Sequence, residues 1–136
     1  MPKLIPVPDD VSKPFWDACN KEKLVLQYCK SCSKLQHPPQ RACKECGADG
    51  NIEWREVNGR GKILSYVVVH DTRQLLRVPD QPFNIAVIQL EEDPGINFLS
   101  NLPGTVVDEV PVGAKVQVEF ELVMPGQLIN EWRVID

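Results

Sequence analysis

No stretch of this chain is apolar for the roughly 20 residues that a membrane-spanning helix requires. The N-terminal run Met1-Pro2-Lys3-Leu4-Ile5-Pro6-Val7-Pro8-Asp9-Asp10 lacks the apolar core of a secretion signal, because three prolines break it and it then turns acidic. These two absences predict a cytoplasmic protein without membrane association. Aromatic residues are scarce at 7%, and there are only two histidines. Positive charge is also in short supply, with 15 Lys and Arg against 19 Asp and Glu for a net charge of −4. The deficit is not uniform. Residues 1–53 hold 8 basic and 7 acidic side chains, whereas residues 54–136 hold 7 and 12. Nucleic-acid binding draws much of its affinity from phosphate neutralisation, so the acidic second half argues against it, although a local basic patch could still hide there.

What is present is an ordinary globular composition, 43% hydrophobic and 25% charged over 136 residues. That length suits one domain, or a domain with a small satellite. A chain of this size buries roughly 68% of its unfolded surface, enough for a normal core.

Four of the five cysteines fall into two pairs, Cys29-x2-Cys32 and Cys43-x2-Cys46, separated by ten residues. Each pair forms a tight knuckle that aims two thiolates at one point, and two knuckles complete a tetrahedron around zinc. Zinc also supplies the positive charge that keeps thiolates deprotonated. The expected site is one structural Zn2+ per chain, because four protein ligands leave no position for substrate water. Two disulfides, four buried thiols or a redox dithiol are the competing readings, the last leaving one pair idle. His37 could replace a thiolate, but all four cysteines are present.

Around the cysteines, residues 24–28, 34–37 and 52–57 read as short strands of a β-ribbon too small to build a core alone, so the metal would supply much of its folding free energy. Ahead of it lies a short helix. Pro14 suits its first turn, Ser12 or Asp10 could cap it, and Phe15, Trp16 and Cys19 share a face. The two aromatics could dock on the same chain or on a partner. Cys19 reads as a small apolar filler and not a nucleophile.

Asn58-Gly59-Arg60-Gly61 is a turn signal between two strand-like runs. Five β runs follow, at 62–70, 83–90, 96–102, 115–122 and 131–135, with a break from Pro103 to Gly113. That count and interruption predict a mainly β protein ending in a five-stranded OB-fold barrel. An SH3-like barrel or a split sandwich is the alternative. The expected division is 1–23 for the N-terminal extension and helix, 24–57 for the zinc ribbon and 58–136 for the barrel. The twelve-residue connection from Asp71 to Pro82 is long for a hairpin. Within it Arg73 and Arg77 flank Leu75-Leu76. The arginines suit phosphate or carboxylate, and the leucines suit a protein or pantetheine contact. The bland alternative is solvated arginines and leucines folded back on the barrel.

From residue 10 onward the sequence resembles the DUF35 family of zinc-ribbon OB-fold proteins associated with thiolases and acyl-CoA metabolism. The resemblance is carried by Pro14-Phe15-Trp16, by Leu24-x-Leu26-Gln27-x-Cys29-x2-Cys32, by Pro38-Pro39 and Cys43-x2-Cys46-Gly47, and by Trp54 ahead of Asn58-Gly59-Arg60-Gly61. It continues in Ile63-x-Ser65-Tyr66-x-Val68-Val69, Pro82-Phe83-x-Ile85-Ala86 and Gly113-x3-Val116. One departure is Ser33 after Cys32, where many members have Gly. The resemblance implies a rubredoxin-like zinc ribbon and a small subunit that binds a thiolase-like protein as a hetero-oligomer. It implies a scaffolding role that could complete the acyl-CoA entrance, without supplying the nucleophilic cysteine. Known settings include archaeal acetoacetyl-CoA thiolase linked to HMG-CoA synthase, steroid side-chain retro-aldol cleavage, benzylsuccinate degradation and phloroglucinol acyl transfer.

The residues agree in offering no complete catalytic constellation: His70 and Asp71 are strand neighbours whose side chains tend to opposite faces. The expectation is therefore no activity alone, and no catalytic residues in this chain. Phe15, Trp16, Leu75 and Leu76 are the candidate partner anchors, and Arg73 and Arg77 the candidate contacts to coenzyme A phosphate. The function expected is a zinc-binding accessory subunit of a thiolase-like acyl-CoA complex; a zinc-ribbon OB protein for nucleic acid is the alternative.

Overall fold

The computed structural model describes residues 3, 5–70 and 82–135. One helix, α1 (Lys13–Cys19), precedes eight strands: β1 (Val25–Cys29), β2 (Lys34–Gln36), β3 (Ile52–Glu56), β4 (Arg60–Val69), β5 (Phe83–Leu90), β6 (Asn97–Ser100), β7 (Lys115–Met124) and β8 (Gln127–Val134). The Asp9 carboxylate starts the helix by accepting from the Val11 and Ser12 backbone N–H groups, at 3.0 and 2.7 Å. Ser12 stands at the N-cap without a side-chain capping bond, and proline occupies the first turn, where its missing N–H costs nothing. Phe15 and Cys19, one turn apart, form the buried face.

Strands β1–β3 form an antiparallel sheet in the order β2-β1-β3. The other five form a second antiparallel sheet in the order β6-β5-β4-β7-β8. Alternation decides which side chains enter the core: along β5, Asn84, Ala86, Ile88 and Leu90 are buried while Phe83, Ile85, Val87 and Gln89 are not. The Asn58–Gly61 turn signal joins one sheet to the other and does not close a hairpin within either. A hairpin between the last two of the expected β runs joins β7 to β8 through Pro125-Gly126, with Gly126 at φ +82°. Pro followed by a glycine of positive φ is the chemistry of a type II turn.

The closed five-stranded barrel expected for residues 58–136 is not formed. The strand count is right, but the sheet is open, with β6 and β8 as its two edges and no ladder between them. β4 pairs with β5 along its length, interrupted by a bulge between Ile63 and Ser65, yet meets β7 only over residues 60–62. The β7–β8 hairpin therefore departs from β4 after one short ladder, and β6, four residues long, reaches β8 through side chains. The Ser100 hydroxyl accepts from the Trp132 N–H at 3.0 Å, donates to its carbonyl at 3.5 Å, and also accepts from the Leu102 N–H at 3.0 Å.

One core serves helix, ribbon and open sheet. Phe15, Cys19, Leu24 and Leu26 are buried in the same cluster as Ile63, Ile88, Leu90, Phe98, Val116 and Trp132. A run of rings crosses all three parts. Trp16 meets Phe15 edge-on at 4.9 Å, Phe15 lies 5.2 Å from His37, His37 stacks on Phe98 at 4.5 Å, and Phe98 lies 5.5 Å from Trp132. Ring contacts of this kind add about 0.5–1.5 kcal/mol per pair beyond area burial. The Asn20 amide oxygen accepts from the Leu128 N–H at 2.7 Å and ties the helix end to β8. Among the described residues no helix is long and apolar enough to cross a membrane.

Candidate metal centre

Cys29 ends β1 and Cys32 follows in the turn toward β2. Cys43 and Cys46 sit on the second turn, before β3. The turns present sulfur because their backbones close tightly: the Ser33 N–H donates to the Cys29 carbonyl at 2.8 Å and the Gly47 N–H to the Cys43 carbonyl at 2.9 Å. Ser33 and Gly47 occupy equivalent places, each one residue past the second cysteine of its pair, and both are left-handed, at φ +61° and +77°.

All four Sγ atoms lie within 4.8 Å of one another. Cys29 to Cys46 and Cys32 to Cys43 are each 3.6 Å apart. A disulfide would need about 2.05 Å; Zn–S bonds of about 2.3 Å in a tetrahedron imply S···S near 3.8 Å. The donor set and spacing fit zinc. The electrostatics agree. Backbone N–H groups of Cys46 and Glu45 pull the Cys43 thiol down to about 6, the Glu45 N–H lying 3.4 Å from the sulfur. Desolvation and the neighbouring sulfurs push Cys32 up to about 12. Four thiols this close cannot all ionise without a cation among them. His37 lies outside the cluster, its ring between Phe15 and Phe98.

Two buried glutamines that the spacing of cysteines did not single out hold the second turn in place. The Gln27 amide donates to the Gln40 carbonyl at 2.8 Å and its oxygen accepts from the Gln40 N–H at 2.9 Å. Gln36 donates to the Ala42 carbonyl at 3.3 Å and accepts from the Lys44 N–H at 3.0 Å. The available signal was their position: polar residues on the strands flanking a metal site, with loop backbone to satisfy.

The other expected site residues fall differently. Phe15 is 4% exposed and belongs to the chain's own core, while Trp16 packs on the core edge and stays partly exposed. Leu75, Leu76, Arg73 and Arg77 lie outside the described residues. Cys19 is fully buried and its thiol is pushed up to about 12 by burial, the opposite of what a nucleophile needs. His70 is exposed at the end of β4.

Comparison with known proteins places this architecture. Residues 16–53 match the family described as ChsH2, rubredoxin-like zinc ribbon domain, and residues 54–121 match ChsH2, C-terminal OB-fold domain. The chain is 31% identical over 119 residues to a probable enoyl-CoA hydratase alpha subunit of Thermomonospora curvata, covering 82% of this chain and 35% of that protein. It thus spans about a third of the length of that relative. It is 28% identical over 97 residues to a DUF35 domain-containing scaffold protein of Methanocaldococcus jannaschii, covering 71% of this chain and 67% of that one. Among solved structures it resembles a chain of the Ltp2-ChsH2(DUF35) aldolase, with a TM-score of 0.82, 26% identity, and coverage of 95% of this chain and 98% of that one. This chain belongs to the DUF35/ChsH2 family of zinc-ribbon OB-fold proteins.

Proposed function

We propose that this chain is a zinc-bearing, non-catalytic accessory subunit of a thiolase-like enzyme acting on acyl-CoA, scaffolding its partner during C–C bond cleavage or formation. The observation that carries the reading is the likeness over nearly the whole chain to the ChsH2 component of a structure named as an Ltp2-ChsH2 aldolase. The buried, proton-holding Cys19 supports it, since the one thiol outside the metal cluster is unsuited to attack. Zinc at Cys29, Cys32, Cys43 and Cys46 is structural in this reading, because four thiolates fill a tetrahedral shell.

The relationship to a hydratase alpha subunit favours a second reading, in which the partner is a hydratase-type acyl-CoA enzyme and this chain corresponds to one domain of that larger subunit. In both readings the partner, not this chain, acts on the acyl-CoA. Contact with the coenzyme phosphates through Arg73 and Arg77, and with the partner through Trp16, Leu75 and Leu76, belongs to the proposal. The alternative of nucleic-acid binding has the acidic second half of the chain against it.

Co-expression with thiolase-like acyl-CoA enzymes encoded in the same genome tests the proposal. The expected result is a co-eluting complex that turns over acyl-CoA, with no turnover by the isolated chain. Turnover of an acyl-CoA by the isolated chain at an enzyme-like rate, or tight salt-sensitive binding of single-stranded DNA, overturns it.

A further inference from the structure

The four metal ligands are unequal in their access to solvent. Cys29 is 0% and Cys43 4% exposed, Cys32 is half-buried, and Cys46 is exposed. The asymmetry follows from the two turns. The first is bounded by paired strands, because the β1–β2 register runs up to Cys29 and Lys34. The second lies in the long connection between β2 and β3. Lys44, Glu45, Cys46 and Gly47 are all exposed there, and a Cβ placed on Gly47 would meet no atom within 4 Å among the described residues.

The exposed sulfur has a shielded neighbour. Cys46 Sγ lies 3.6 Å from Cys29 Sγ, and Cys32 Sγ lies 3.6 Å from Cys43 Sγ, so both contacts join one turn to the other. A solvent-accessible cysteine poised beside a second one that can resolve it is the arrangement of a redox-sensing pair.

We propose that the metal centre is also a redox-sensitive clasp, in which hydrogen peroxide oxidises Cys46 first, Cys29 resolves the product as a disulfide, and the ribbon gives up its zinc. The Cys46 thiolate attacks one peroxide oxygen, the O–O bond breaks, and hydroxide leaves with the bonding pair, which makes Cys46 a sulfenic acid. The Cys29 thiolate then attacks the Cys46 sulfur and displaces the second hydroxide as the S–S bond forms. Two protons turn the two hydroxides into water, and two electrons have passed from the sulfurs to the peroxide. Cys32 and Cys43 are left, too few to hold a tetrahedral ion. The ribbon depends on that ion for its fold, so the second turn, braced by Gln27 and Gln36, loosens from the strands that carry Leu24 and Leu26 into the shared core. Reduction by a thiol reverses the change. Cys19, fully buried in that core, is a reference thiol that peroxide should not reach. The inference rests on zinc at the four cysteines and not on the identity of the partner.

The test treats the zinc-loaded full chain with limiting hydrogen peroxide. Released zinc is read with a chromogenic chelator, and the cysteines are mapped by alkylation and peptide mass spectrometry. About one zinc should be freed per peroxide consumed, with Cys46 the first thiol lost and Cys29–Cys46 the first disulfide. Cys19 should alkylate only after unfolding, and dithiothreitol with added zinc should restore the metal content. Cys46→His keeps four ligands and should slow zinc release about tenfold or more, whereas Cys32→His should leave the rate unchanged. Should Cys46→His fail to hold zinc, the order of modification in the wild type decides alone. Loss of Cys32 or Cys43 first, a first disulfide within one turn, or zinc retained with all five thiols intact in a large excess of peroxide overturns the inference. Protein that carries no zinc as purified removes it, and the accessory-subunit reading then stands or falls on its own test.

Discussion

Gln36 donates its side-chain amide to the Gln27 oxygen at 2.7 Å, directly across the β1–β2 pair. Both side chains are buried, and together they bind backbone at Gln40, Ala42 and Lys44, the approach to Cys43. Gln27→Ala leaves the Gln40 N–H and carbonyl and the Gln36 amide without this partner; Gln40 is exposed and Gln36 keeps Ala42, so the loss is about 1 kcal/mol per hydrogen bond. The expected outcome is a lower denaturation midpoint and faster zinc loss to a competing chelator, with the four cysteines intact.

The metal itself is tested by Cys43→Ser. A hydroxyl replaces a thiolate in a set of four whose spacing matches tetrahedral zinc. Metal analysis should fall from one zinc per chain toward none, and solubility should fall with it because the ribbon depends on the ion. Iron, or a folded metal-free ribbon in freshly purified protein, would count against the assignment.

Ser33 holds φ +61° at the place equivalent to Gly47. A residue with a Cβ pays roughly 1–2 kcal/mol for that conformation, so Ser33→Gly should stabilise the ribbon by somewhat less, about 0.5–1 kcal/mol once the added freedom of the unfolded chain is set against it. Thermal melting of the zinc-loaded protein measures the gain.

His37 supplies a pH dependence. Burial between Phe15 and Phe98 pushes its imidazole down from 6.5 to about 4, and Nδ1 has no hydrogen-bond partner among the described residues. Between these values the unfolded chain binds a proton that the folded chain does not. The stability this site provides is therefore complete above pH 6.5 and lost as pH falls toward 4. His37→Phe keeps a ring in the stack and removes the titration. Urea midpoints of the two proteins should converge differently with pH, the wild type losing more than the variant between 6.5 and 4.

Ser100→Ala tests how the sheet edges are joined. The hydroxyl accepts from both Leu102 and Trp132, and its removal strands two buried N–H groups at a cost of about 1–3 kcal/mol each. Hydrogen exchange should accelerate at Leu102 and Trp132 while the β4–β5 ladder stays protected.

The sequence by itself determined the pairing of four cysteines into one cluster, the ribbon strands, the helix face and the number of strands in the second sheet. Each of these is a local matter: cysteine spacing fixes a knuckle, and alternation fixes which face of a strand is buried. The Pro125-Gly126 turn is local in the same way, a proline followed by a glycine of positive φ. Tertiary structure decided what local pattern cannot encode. Whether five strands close into a barrel depends on how far β7 follows β4, and that ladder stops after three residues, so the edges meet not through a ladder but through the Ser100 hydroxyl on Trp132, the Asn101 N–H on the Glu131 carboxylate and the Phe98–Trp132 ring contact. Whether Phe15 serves a partner or its own core depends on where the helix lands, and it lands beside His37. The joining of Val67, Ile85, Val87 and Leu99 into one face, with Lys62 and Lys115 beyond it, arises from the register of four strands that are far apart in the chain.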